Sequence, residues 1–248
     1  HPSDATRRAV LYKQRVVDRA LDGLERETSE RGRRLLLDEI RESLAIWWRT
    51  DEVRRLPPDP REEIRRTHFY IESVLFDAAP DVVLELEERL GRELETTPLA
   101  FGSWAGGDMD GNPAVGADTL AFALREQRLL ALRLLAERAR RLTRLYTQSA
   151  SLLPPDPALA RSLEQDRAQL PGAAELFSRF RHEPLRLKLY LIWARLCRAQ
   201  EETATELPVD GAYERALQLE EDLQLVRQAT CSPLVSSGTI RRLIWQAR

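Results

Sequence analysis

The chain has 248 residues, 43% of them hydrophobic, which is enough apolar material for one large domain or two small ones with a buried core. Its 38 basic and 40 acidic side chains leave a formal charge of −2, so no global field favours nucleic acid or an acidic membrane surface. No apolar run is long enough to cross a bilayer and no basic-then-apolar leader opens the sequence, so the expected address is cytoplasmic, with no membrane and no nucleic-acid partner.

From Asp4 to about Glu27, Ala9, Val10, Val16, Val17, Ala20, Leu21 and Leu24 recur at three- and four-residue steps, which predicts an amphipathic helix. A second runs through "RRLLLDEIRESLAIWW". Pro57, Pro58 and Pro60 then break the pattern, and Asp59 is placed to cap a helix carrying Thr67 to Phe76. Another is expected from about Pro80 to Leu94. "TPLAFGSW" is short, apolar and bounded by proline and glycine, which makes it the best strand candidate and a buried one. A long helix is expected from Ala117 to about Leu153, ended by "LLPPDPALA", which also starts the next. Further helices are expected over Glu183 to about Thr203 and Val209 to Ala229, and "TIRRLIWQAR" closes the chain as an amphipathic segment.

The two cysteines, Cys197 and Cys231, match no metal-ligand spacing and read as packing residues. Lys13 and Lys188 are the only lysines, a bias pointing to a GC-rich bacterial coding sequence. His1 in place of Met and the unterminated C-terminal pattern make both ends read as cuts within a longer chain. His68, among aromatics, reads as a packing residue, and His182 sits in a loop before proline.

The stretch "AFGSWAGGDMDGNP", Ala100 to Pro113, departs from the helical pattern on both sides of it. Gly106 and Gly107 open backbone conformations closed to other residues, Asp108, Asp110 and Asn112 supply oxygens, and Pro113 delays the next helix. A calcium loop counted from Asp108 needs glycine at its sixth position and glutamate at its twelfth, where Pro113 and Thr119 stand, and no phosphate-binding glycine pattern is present. Two readings remain from spacing: an active-site loop at the end of a strand, or a turn whose Asp and Asn satisfy backbone groups and cap the following helix.

"FGSWAGGDMDGNP" resembles the F-x-S-W-x-G-G-D-R-D-G-N-P motif of phosphoenolpyruvate carboxylases, and "HPSDATRR" resembles their H-P-T-E-x-x-R-R. "RTDEVRRLPPDPREE", "EPLRLKL" and "YERALQLEEDLQLVRQA" are similar to further motifs of that family, in the same order. The resemblance implies a mainly α chain: the helical part of a (β/α)8-barrel-derived fold, with one or two short barrel strands. Residues 1–248 would then be a partial carboxylase domain, truncated at both ends, without the metal-binding C-terminal part. The implied activity is formation of oxaloacetate and phosphate from phosphoenolpyruvate and bicarbonate, through carboxyphosphate and an enolate. The implied cofactor is Mg2+ or Mn2+, with no metal ligand in this chain, and the implied assembly a homotetramer.

Carried over residue by residue, the resemblance makes His1 the catalytic base and makes Arg7, Arg8 and Trp104 substrate-binding. Gly106, Gly107, Asp108, Asp110, Gly111 and Asn112 become the active-site loop. An imidazole with an ordinary pKa of about 6.5 suits a base at neutral pH, and guanidinium groups grip phosphate and carboxylate bidentately. Met109 stands where the family motif has arginine, and Leu185 where it has tyrosine. The loss of that cation makes a degenerate, non-catalytic relative the alternative reading.

Overall fold

The computed structural model describes residues 8–51, 59–152, 156–230 and 238–248. They are mainly helical, and among them no strand forms. No helix among the described residues is long and apolar enough to cross a membrane. The chain divides into two compact units, His1–Arg66 and Thr67–Arg248.

In the first unit, α1 (Arg8–Arg26) and α2 (Glu30–Trp48) form a hairpin, packed closely enough that a Cβ on Gly23 would stand 3.2 Å from Leu36. The turn between them is built from side chains. Ser29 caps α2 by accepting from the Gly32 amide at 3.1 Å, and Glu27 accepts from both the amide and the hydroxyl of Ser29 at 2.8 and 2.9 Å. These Ser29 hydrogen bonds hold the Glu27 carboxyl below its ordinary range. The open end is tied by Lys13, whose Nζ donates to Thr50 at 2.6 Å. The outer side of α2 stays apolar and exposed, with Leu37, Leu44, Ile46 and Trp48 at the surface.

The second unit begins within α3 (Pro60–Tyr70) and continues through a wide π-helical turn, Ile71–Leu75, into α4 (Phe76–Leu90). Two separate helices are expected here from the sequence, yet the chain runs on through Pro80. Proline at 80 cannot donate to the carbonyl of Phe76. That carbonyl instead accepts from Gln246 Nε2 at 2.7 Å, so the helix survives with its backbone satisfied. α4 ends at Gly91, whose φ of +64° is the left-handed cap favouring glycine.

After the segment 91–116, α5 (Ala117–Leu145) packs lengthwise on α8 (Pro184–Thr205). Leu135, Ala139, Leu142 and Tyr146 face the core from one chain segment, and Leu185, Leu189, Ile192, Leu196 and Ala199 from the other. Both sets step at the four-then-three spacing of a single helical face. α5 stops earlier than the expected Leu153 because Tyr146 leaves helical backbone at ψ 71° and is itself buried. Asp156 caps α6 (Pro157–Gln169) by accepting from Ala158 at 2.7 Å, with proline in the first turn as the sequence predicts. The short α7 (Ala174–Arg179) precedes α8.

α9 (Ala216–Ala229) begins later than the expected Val209, since Gln218 Oε1 accepts from the amides of Glu214 and Arg215 and fixes the start there. α10 (Thr239–Ala247) follows the pattern of "TIRRLIWQAR" and packs on α4 and α9. Leu159 and Leu163, Leu219, Leu223 and Val226, and Ile240, Leu243 and Ile244 complete the core from α6, α9 and α10. Each such side chain contributes about 2 kcal/mol of burial.

Candidate functional site

The segment between α4 and α5 carries the motif. It does not form the expected buried strand: residues 97–104 join no ladder among the described residues, and Leu99, Phe101 and Trp104 are exposed, Trp104 by 70%. A strand needs a neighbour whose amides and carbonyls complete the ladder, and the described residues offer none.

Beyond Trp104 the chain folds on itself. The Gly107 amide donates to the Trp104 carbonyl at 2.9 Å across Gly106, whose φ of +82° requires glycine. The Asp108 carboxylate accepts from the Gly111 amide at 3.2 Å, and the Asn112 amide donates to the Asp108 carbonyl at 3.2 Å. A Cβ on Gly111 would lie 2.8 Å from the Asp108 carboxylate, so glycine there leaves room for that bond. Asn112 Oδ1 accepts from Ala114 at 3.0 Å, and Val115, buried, seats the end of the loop before α5. Met109 and Asp110 are exposed.

Asp108 and Asn112 thus spend side-chain oxygens on the loop's own amides. That is the satisfied-turn geometry, and it makes a poor donor set for Mg2+, which wants several oxygens free in an octahedron. Among the described residues no group of three or more His, Cys, Asp or Glu side chains is close enough together to hold a metal ion.

Three predicted site residues belong to other parts of the chain. His1 and Arg7 lie outside the described residues, and Arg8 opens α1 in the other compact unit. His68 is buried on α3; His182 is exposed and accepts from Arg181 Nε at 2.8 Å. Cys197 is half-buried against the core, and burial pushes its thiol up; Cys231 lies outside the described residues.

Two of the matched motifs meet in a buried ion cluster that site reasoning from the sequence missed. Lys188 of "EPLRLKL" is 1% exposed; its Nζ lies 2.7 Å from Asp166, 2.6 Å from Asp222 and 2.8 Å from Ser162 Oγ. Arg195 stands 3.7 and 3.4 Å from the same two carboxylates, and Tyr213 donates to Asp222 at 2.6 Å. Burial pushes the Asp166 carboxyl up against the pull of Lys188, and burial with the Asp222 charge pushes Tyr213 well above its ordinary value. Two cations and two anions joining α6, α8 and α9 balance to zero, which is how charges survive in a core. The available signal was a lysine in an otherwise arginine-rich chain, set in an apolar run.

The sequence profile of the phosphoenolpyruvate carboxylase family matches residues 1–248, the whole chain. This chain belongs to the phosphoenolpyruvate carboxylase family. Among curated relatives, the phosphoenolpyruvate carboxylase of Xanthomonas oryzae pv. oryzae is 35% identical over 259 residues, covering 100% of this chain and 28% of its own length. That of Synechocystis is 32% identical over 277 residues, covering 99% of this chain and 26% of its own length, and that of Gloeobacter violaceus 34% over 268 residues, 99% and 28%. The chain therefore spans little more than a quarter of the carboxylases it matches.

Within this carboxylase-family chain the matched motifs divide by burial. "EPLRLKL" and "YERALQLEEDLQLV" build the core through Lys188, Tyr213 and Asp222, whereas "FGSWAGGDMDGNP" presents Phe101, Trp104 and Met109 to solvent.

Proposed function

We propose that this chain is part of a longer phosphoenolpyruvate carboxylase that makes oxaloacetate and phosphate from phosphoenolpyruvate and bicarbonate in the cytoplasm of a bacterium, and that it is inactive alone. The observation that carries the reading is the carboxylase motif held in a self-bonded loop whose aromatic side chains are uncovered. A cluster of exposed apolar side chains, unlike a lone one, marks a surface that meets a partner. In the longer protein, residues 97–104 would pair as a barrel strand, and Trp104 would wall an apolar space that keeps a labile intermediate from water.

In this reading a bicarbonate oxygen attacks phosphorus, the bond from phosphorus to the enol oxygen breaks, and carboxyphosphate and an enolate result. His1 takes the carboxyphosphate proton, carbon dioxide and phosphate separate, and the enolate carbon attacks carbon dioxide. Arg7 and Arg8 hold the phosphate and carboxylate oxygens. General-base help of this kind is worth about 100- to 10,000-fold. Asp108 and Asn112 hold the loop in shape. The family resemblance puts the carboxylates that would hold Mg2+ or Mn2+, and so polarise phosphoenolpyruvate, outside this chain, and among the described residues no such group fits the metal. Homotetrameric assembly and an anaplerotic role belong to the same reading.

Oxygen-18 in bicarbonate tests the chemistry: one labelled oxygen appears in each phosphate released by the longer protein if bicarbonate attacks phosphorus, and none if water does. Met109 supports a second reading, a relative that has lost activity, because a thioether replaces the motif cation beside anionic intermediates. Met109→Arg in the longer protein separates the two. A large gain in kcat identifies a crippled site, and no change shows that this cation is not needed.

A further inference from the structure

The motif segment is not simply hung between α4 and α5. Its first residues are pinned to two helices far along the chain. Glu87, only 5% exposed near the end of α4, accepts from the Leu94 amide at 2.7 Å through one carboxylate oxygen and from Arg241 of α10 through the other. Glu93 is gripped through both carboxylate oxygens by Arg227 of α9, at 3.0 Å for the Nη1 to Oε2 bond, with Arg241 a further 3.8 Å from Oε1. Arg248 donates to the Leu94 carbonyl at 3.3 Å and is itself held by Glu220 at 2.7 Å and by stacking on Trp245 at 4.5 Å.

Both backbone polar groups of Leu94 are therefore taken by side chains from outside the segment. Three arginines meet three glutamates, so the anchor is neutral and has no charge left over for a ligand. Bidentate arginine–carboxylate pairs fix orientation as well as distance. Twenty residues on, the segment is seated again by buried Val115 and by Thr119, whose hydroxyl reaches the Ala114 carbonyl at 3.4 Å.

We propose that Arg227, Arg241 and Arg248 are positioning residues for the motif loop: acting through Glu87, Glu93 and Leu94, they fix where the segment bearing Trp104 and Asp108 leaves the helical body. The consequence for catalysis rests on the carboxylase reading above; the placement of the loop does not. Misplacing a positioned group by about 1 Å costs on the order of 100-fold in rate, which is why an anchor on rigid helices matters to a loop with so few contacts of its own.

The test uses the 15N-labelled 248-residue chain, with backbone order parameters read at residues 95–107 and along α8. Arg227→Gln and Glu93→Gln should each lower the order parameters of 95–104 below those of the unaltered chain, with α8 unchanged at rigid values of about 0.85. The charge-swapped pair, Glu93→Arg with Arg227→Glu, should restore them in part, since Arg241 then faces a second cation. Arg89→Gln, which breaks only an exposed pair on α4, should leave the loop as it is. Unchanged order in the loop of the single variants, or equal loosening of α8, overturns the proposal. In the longer protein, Arg227→Gln should lower kcat about 10-fold or more while KM for phosphoenolpyruvate moves less. A loosened loop with unaltered kcat would overturn its role in catalysis. If the unaltered longer protein makes no oxaloacetate, the carboxylase reading fails, and the order parameters still decide the anchor.

Discussion

Replacing Lys188 with methionine keeps the length and apolar stem of the side chain and removes only its charge. Asp166 and Asp222, with side chains 5% and 13% exposed, then lose a cation at 2.7 and 2.6 Å. Breaking a buried ion pair from one side costs about 3–5 kcal/mol, because the orphaned charge stays buried. Arg195, at 3.7 and 3.4 Å, retains part of the compensation, which places the expected loss at the lower end, about 3 kcal/mol. Urea denaturation followed by circular dichroism reads this as a midpoint lowered by about 1.5 M, taking a slope of about 2 kcal/mol per molar.

The pH dependence of that loss carries a sign. Asp166 already has a raised pKa, from burial first, and loses in the variant the Lys188 charge that opposes the rise. A carboxyl whose folded value exceeds its unfolded one costs stability above the folded value, and the cost fades as pH falls to the unfolded value. The deficit of Lys188→Met should therefore narrow on acidification. A deficit below about 1 kcal/mol at neutral pH, or one that is flat with pH, would refute the account of the cluster.

Gln246→Leu should cost about 1 kcal/mol by leaving the Phe76 carbonyl without a donor, and adding Pro80→Ala should recover most of it, since an alanine amide at 80 can make the missing helical bond; paired thermal melts check both. Gly91→Ala should cost about 1 kcal/mol, because the left-handed cap at φ +64° is strained for any residue with a Cβ although open space surrounds it. The hydrogen bond from Arg227 holds the Glu93 carboxyl below its ordinary range, aided by the charges of Arg227, Arg241 and Arg248 and opposed by burial. Its stabilisation is present above the ordinary carboxylate value and lost as pH falls through the depressed one, so a carboxyl-carbon NMR titration should place the Glu93 midpoint below that of a free glutamate.

Much of the helical plan was legible because its signals are local. Asp156 with Pro157 announces α6, the 3.6-residue periodicity of α2 and α8 marks their spans to within a few residues and that of α1 its end, and the C-terminal amphipathic pattern becomes α10. The start of α9 is set by the nearby Gln218, but the course of the chain around α4 depends on distant partners. Nothing near Pro80 foretells that Gln246 will accept responsibility for the Phe76 carbonyl, and nothing near Leu94 foretells Arg248. The apolar segment 97–104 has strand composition, but strand formation requires a partner that the described residues do not contain. The loop was legible as an exception in pattern and as a family motif. Its internal bonds, Asp108 to Gly111 and Asn112 to Ala114, agree with what Asp and Asn do in turns generally, so they could not have distinguished a catalytic loop from a plain one.

The most direct test of the carboxylase reading is oxaloacetate formation by the longer protein that contains this chain. It would be followed through NADH oxidation by malate dehydrogenase, with Mg2+, phosphoenolpyruvate and bicarbonate, beside a His1→Asn variant. The account predicts turnover that requires bicarbonate and collapses in the variant. A folded longer protein with no turnover would contradict it, as would a variant that carboxylates as fast as the original.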